Sequence, residues 1–161
     1  MRKIKVSLFH LYPAIKELRD LLENIPKLAR DLVEIMCREG VEIAKANVVR
    51  MGIVDTGDLL ESIHYAISGN GTYGVIRVDS DHGLYVEFGT GVVGSLDPHP
   101  QASPSQYDVN GHGWGGWYYF NDRKQKIQWT AGVGSRPFMW ETARMLSQQT
   151  VDMAREVFEK T

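Results

Sequence analysis

The densest run of groups able to do chemistry is Asp79, Asp81, His82 and Glu87, three carboxylates and an imidazole within nine residues. Such groups bind divalent metals and act as the general acids and bases of hydrolysis. The run lacks the pair of histidines one helical turn apart around a glutamate that marks a zinc hydrolase. His99 and His112 stand well away from it, in a stretch rich in Gly, Pro and Ser. Asp79-Ser80-Asp81-His82-Gly83 reads more simply as the polar turn that ends a strand. Ser62 and Ser135 lack a nucleophile-elbow context, and no glycine-rich phosphate loop opens a helix. A small metal-dependent hydrolase or nucleic-acid-processing protein is therefore the weaker of two readings, and neither a catalytic set nor a cofactor is expected.

A second candidate constellation is aromatic. Trp114, Trp117, Tyr118, Tyr119 and Phe120 have the faces needed to stack on bases or sugars. No basic residues interleave them to hold a phosphate backbone, so they divide between core and a protein contact. Trp114, Trp117 and Tyr118 are the candidate contact residues, and no sequence-specific nucleic-acid binding is expected.

Glu87 needs an explanation of its own. It lies inside Tyr85-Val86-Glu87-Phe88-Gly89-Thr90-Gly91, where Tyr85 and Phe88 share the face of one helical turn and Gly89 supplies its left-handed end. A carboxylate buried among such neighbours requires a cation, water or backbone amides. Arg136, just ahead of Pro137 and Phe138, is the expected cation, and the amides near Thr56 and Gly57 are the alternative.

These residues must be held by an α+β scaffold. Ile4, Val6 and Leu8 suggest an N-terminal strand or arm. Pro13 opens a helix with Ile15, Leu18, Leu22 and Ile25 on one face, and Pro26 breaks or restarts it. The pattern Leu28, Leu32, Ile35, Ile43, Ala46 predicts a long helix to about Arg50, with Gly40 marking either a bend or a close neighbour. Asp58 to Ser62 is one helical turn at most, capped by Thr56 or Asp58. Ile63 to Ser68 and Tyr73 to Asp79 alternate around Gly69-Asn70-Gly71-Thr72, which predicts a hairpin. A Gly/Pro/Ser/His-rich loop follows at about 92–116. Trp117 to Phe120 and Lys126 to Thr130 form a second hairpin. Pro137 then opens a last helix with Met139, Ala143, Leu146, Thr150, Met153 and Val157 on its inner stripe. The expected fold is a two-layer single domain, an antiparallel sheet of two hairpins packed on two long helices.

A chain of 161 residues suits one core, and a formal charge of −2 argues against a surface made for phosphate backbones. The single cysteine, Cys37, fits a reducing compartment and reads as an inert buried thiol. Charged residues interrupt any N-terminal apolar run, and no stretch has the ~20 apolar residues of a membrane span.

Three of these stretches occur together in one known family. Asp55-Thr56-Gly57-Asp58-Leu59-Leu60-Glu61-Ser62-Ile63, then Tyr85-Val86-Glu87-Phe88-Gly89-Thr90, then Arg136-Pro137-Phe138 at a C-terminal helix resemble the neck and tail-component family of long-tailed bacteriophages and prophages. The resemblance covers about residues 12–160, and the segment from Val92 to Thr130 is longer than the family's usual connection. It implies a structural subunit of the virion neck or tail end, assembled in the host cytoplasm and carrying no reaction. It also implies a ring homo-oligomer that contacts neighbouring neck or tail proteins and no membrane. Thr56, Gly57, Leu59, Ser62, Tyr85, Glu87, Phe88, Gly89, Thr90, Arg136, Pro137 and Phe138 are the motif residues, serving either the fold or subunit contacts.

Overall fold

The computed structural model describes residues 8–54, 57–101, 108–111, 115–121 and 124–159, with side chains from residue 11 onward. The expected N-terminal strand lies almost wholly outside these residues, as do Thr56, His112 and Trp114. The described chain runs α1 (Leu8–Arg50), α2 (Asp58–Glu61), β1 (Ile63–Ile67), β2 (Gly74–Val78), α3 (Gly83–Phe88), α4 (Gly91–Leu96), β3 (Trp117–Asn121), β4 (Lys126–Thr130), β5 (Gly132–Val133) and α5 (Phe138–Glu159).

Helix α1 is one element of 43 residues, about 64 Å long, with Pro13 and Pro26 inside it. The expectation that Pro13 opens a helix and Pro26 breaks it fails. Both prolines lie in the exposed half, where the Leu22 carbonyl that loses its partner to Pro26 is open to water. From Leu28 onward the helix is covered, and its buried stripe is Cys37, Val41, Ala44 and Val48. Ala46, expected on that stripe, is exposed, and Asn47 is buried in its place. Gly40 is where α1 is approached most closely: a Cβ there would run into Ile76 of β2 and come within 3.3 Å of Leu146 of α5. Of the two explanations for that glycine, a close neighbour is the one observed.

The helix ends in a Schellman motif. Gly52 (φ +64) donates to the Val49 carbonyl at 3.0 Å and Ile53 donates to that of Val48 at 3.1 Å. Ile53 and Val48 are both buried in the core, which supplies the apolar contact that accompanies this cap.

Helix α5 packs along α1, with Phe138, Thr142 and Val157 buried. Thr142 takes the inner position expected of Ala143, which is exposed. Asn47 explains the shift: its amide donates to Thr142 Oγ1 at 3.1 Å and to the Phe138 carbonyl at 3.4 Å. A buried polar pair therefore fixes the register of the two helices where an apolar stripe alone would slide.

Strands β1 and β2 form the expected hairpin, antiparallel with Tyr65 opposite Ile76, and lie on α1. Strands β3 and β4 pair with Tyr119 opposite Gln128. The α+β architecture of two hairpins and two long helices stands, but the hairpins are separate two-stranded sheets. The core gathers Val41, Ala44, Val48, Ile53, Ile63 and Phe138, so the ends of α1 and α5, β1 and the start of α2 meet there.

Candidate functional site: the Glu87 junction

The segment Gly83–Phe88 folds as the single helical turn the sequence predicts. Gly89 ends it, its N–H donating to the Tyr85 carbonyl at 3.0 Å. Its φ of +77 demands glycine, although its ψ of 173 is extended and not the left-handed helical value expected. A Cβ on Gly89 would lie within about 3 Å of three backbone atoms, Ser135 N, the Val133 carbonyl oxygen and Gly94 Cα. The turn is thus clamped against the strand that leads into α5.

Glu87 is 7% exposed and accepts three hydrogen bonds. Oε2 accepts from the Met139 N–H at 2.9 Å, and Oε1 accepts from the Trp140 N–H at 2.9 Å. These amides belong to the first turn of α5, where N–H groups have no partner within the helix. A carboxylate there satisfies two of them and meets the positive end of the helix dipole. The third donor is His99 Nε2, 3.1 Å from Oε1, on a side chain as buried as Glu87 itself.

The tautomer of His99 follows from its other nitrogen. Nδ1 accepts from the Gln101 N–H at 3.0 Å, so a neutral ring carries its proton on Nε2, facing Glu87. The ring lies 4.6 Å from that of Phe88 and edge-on to Trp140 at 6.4 Å. His99, expected in a loop with no role, is a buried strut under α3. The loop expected at 92–116 also begins as helix α4, whose Val93 N–H reaches the Ala131 carbonyl at 3.2 Å.

Arg136 is not the cation for Glu87. Its exposed guanidinium donates at 3.5 Å to the carbonyl of Gly52, the Schellman glycine of α1. Among the described residues no amide near Gly57 reaches Glu87 either, and Thr56 lies outside them. The need for backbone amides was read correctly, but they come from α5, 52 and 53 residues away in sequence. The backbone of Arg136 still joins the two motifs, its N–H donating to the Val86 carbonyl at 2.8 Å. Ser135 Oγ donates to the Glu87 carbonyl at 2.6 Å.

The remaining motif residues divide as follows. Thr90 is buried, accepts from the Val133 N–H at 3.3 Å and pairs with Val133. Phe138 is 1% exposed at the centre of the core. Leu59 packs on that core, and Ser62 Oγ donates to the Leu59 carbonyl at 2.8 Å, closing the α2 turn. The N-cap of α2 is Gly57, at φ +96 and with no side-chain capping bond, so Asp58 does not cap it. Pro137 is half-buried, its carbonyl accepting the first helical bond of α5 from the Glu141 N–H at 3.0 Å. Tyr85 is more than a third exposed and lines a cleft with Trp117, Tyr119 and Val133. Tyr118 is 73% exposed on β3.

Asp79, Asp81 and His82 are exposed, and Asp79 Oδ2 lies 3.5 Å from His64 Nε2. Among the described residues no group of three or more His, Cys, Asp or Glu side chains comes together to hold a metal. Glu87 lines one cavity with Asp79 and Asp81, but its two oxygens are occupied by three N–H donors, two of them from α5. The junction thus has the chemistry of a structural clasp, joining α3, α5 and the segment around His99. Among those residues, too, no helix is long and apolar enough to cross a membrane.

Comparison with known proteins agrees in kind. Residues 16–89 match the model of the family described as "Bacteriophage HK97-gp10, putative tail-component". The match takes in α1 from its third turn, the Gly57–Ser62 turn, the first hairpin and α3 through Gly89. The resemblance seen in the sequence is borne out over that span, while Arg136-Pro137-Phe138 lies beyond it. No curated protein and no solved structure matches the chain.

Proposed function

We propose, from the tail-component family that residues 16–89 match, that the protein is a structural subunit of the phage neck or tail end. It forms a ring that completes the tail or joins head to tail during assembly, in contact with neighbouring neck or tail proteins. The match carries this reading because it includes the first motif and the second as far as Gly89, in order and with most of the long helix that precedes them.

The structure supports the reading in two ways. Among the described motif residues, Ser62, Glu87, Gly89, Thr90 and Phe138 are spent on bonds and packing within the chain, as a rigid building block needs. Two apolar elements are left in water, the first half of α1 and the β3–β4 hairpin with Tyr118, Phe120, Ile127 and Trp129 exposed. A ring closed by rotation needs two different surfaces that complement each other between neighbours. The reading assigns the protein no reaction, no cofactor and no sequence-specific nucleic-acid site.

The test is deletion of the gene from its phage or prophage, with the lysate viewed by electron microscopy. Unjoined heads and tails, or tails of uncontrolled end structure, are expected, with rescue by the gene in trans. Normal infectious particles from the deletion would overturn the reading. The hydrolase reading predicts instead a loss of activity in Asp79→Asn and Asp81→Asn with particle structure intact.

A further inference from the structure

Among the described residues nothing covers the first half of α1. Leu11, Ile15, Leu18, Leu21, Leu22 and Ile25 each leave between 40% and 65% of their surface in water, on a helix whose other half is packed by α5. The last buried contact is Leu28 beside Val157 near the end of α5, and the stripe continues beyond it for four turns of α1. A helix of that length is marginal in water without a partner, the more so with Pro13 and Pro26 in it.

We infer that this arm is the contact between copies of the chain, the arms of neighbouring subunits lying side by side and parallel. The inference rests on the ring reading and names the surface that makes the ring.

Three observations select a second copy as the occupant. The first is the width of the stripe. At 100° per residue, positions 11, 14, 15, 18, 21, 22 and 25 span an unbroken arc of about 120°, wider than the seam of a two-helix coil. Such an arc has two shoulders, Leu21 with Ala14 on one and Ile15 on the other, so each arm can meet a neighbour on both sides.

The second is charge. Exposed Glu17 borders the Leu21 shoulder, and exposed Arg19 borders the Ile15 shoulder. Between parallel arms at one level, the Glu17 edge of one copy faces the Arg19 edge of the next, about 3 Å apart along the axis. Antiparallel arms would lose that pairing. The described arm from 11 to 27 carries Lys16, Arg19 and Lys27 against Glu17, Asp20 and Glu23, so it has no net charge to oppose self-association.

The third is area. Six side chains at about half exposure present roughly 500 Å² per copy, or roughly 250 Å² toward each of two neighbours, about a third of the roughly 800 Å² per partner in a stable interface. Tyr12 and the stem of Arg19 extend it on the Ile15 side.

Cysteine cross-linking of the full chain, with Cys37→Ala as background, tests the arrangement. Glu17→Cys and Arg19→Cys are placed together in one chain, and each alone. Mild oxidation is expected to give the double variant a ladder of oligomers whose top rung counts the ring. Each single variant should stay uncross-linked, and a mixture of the two should give dimers. Self-cross-linking of either single variant would overturn the parallel arrangement.

Leu18→Asn/Leu22→Asn changes only exposed positions, so its circular dichroism should show the core intact. Its self-association should weaken roughly a hundredfold by sedimentation equilibrium. A ring that persists unchanged in this variant would overturn the inference and leave the ring reading standing. A wild-type chain that stays monomeric at every concentration would overturn both the arm contact and the ring.

Discussion

Glu87→Gln preserves the shape of the side chain and removes its charge. The carboxylate meets three N–H groups with two oxygens, whereas the amide has one oxygen and one NH₂. Whichever way the amide is turned, its NH₂ faces at least one donor: Met139 N–H in the better orientation, Trp140 N–H and His99 Nε2–H in the other. One buried donor left without an acceptor costs about 1–3 kcal/mol. The lost negative charge at the start of α5 adds about 1 kcal/mol, since the site is buried and poorly screened. The expected loss is therefore about 2–4 kcal/mol in urea unfolding at neutral pH, with the slope unchanged. Arg136→Met, which among the described residues loses a long exposed bond to Gly52, should cost about 0.5 kcal/mol or less. The two should be additive in the double variant, since the side chains do not share a partner. A Glu87→Gln chain within about 0.5 kcal/mol of wild type, or strong coupling to Arg136, would refute the clasp.

Four further outcomes follow from two glycines and from Cys37. Gly89→Ala should destabilise by at least about 2 kcal/mol, because a positive φ is compounded by three backbone atoms within about 3 Å. Gly57→Ala, also at positive φ but with open space around it, should cost about 1–2 kcal/mol by the same unfolding assay. Burial pushes the Cys37 thiol up from its ordinary value of 9.0, so the native chain should react slowly with thiol reagents that modify the unfolded chain at once. The linked stability is complete below that ordinary value and is lost as pH rises through the higher folded one, which thermal melts of wild type and Cys37→Ala across that range would detect.

Local patterns in the sequence carried the elements well and their partners poorly. The first hairpin was legible because alternation and the turn Gly69-Asn70-Gly71-Thr72 specify it together; Asn70 Oδ1 accepts from Thr72 N at 3.1 Å and from the Ser68 and Thr72 hydroxyls. The α3 turn and its glycine end were legible for the same reason. That Glu87 must be paired was also readable, since a carboxylate between Val86 and Phe88 has few other fates. Its partners were not, because two of them are backbone amides, which every residue possesses and no side-chain pattern reveals. His99 was hidden by its setting among Pro98, Pro100 and Gly94, which reads as loop whatever the imidazole touches. Pro26 misled because the rule against proline in helices assumes a packed helix, and here the lost bond lies in the exposed half. Asn47 and Thr142 were missed as core residues since each is polar, and their bond to each other and to the Phe138 carbonyl is what makes their burial tolerable.

The measurement closest to the central claim is quantitative mass spectrometry of purified virions, using labelled peptides from α1 and α5 against those of the major tail protein. A structural neck or tail-end subunit predicts its presence at a small, fixed copy number per particle, the same in every preparation and equal to the top rung of the cross-linked ladder. Absence from infectious particles that are made only when the gene is expressed would contradict it, and would recast the protein as one that acts on assembly without becoming part of the virion.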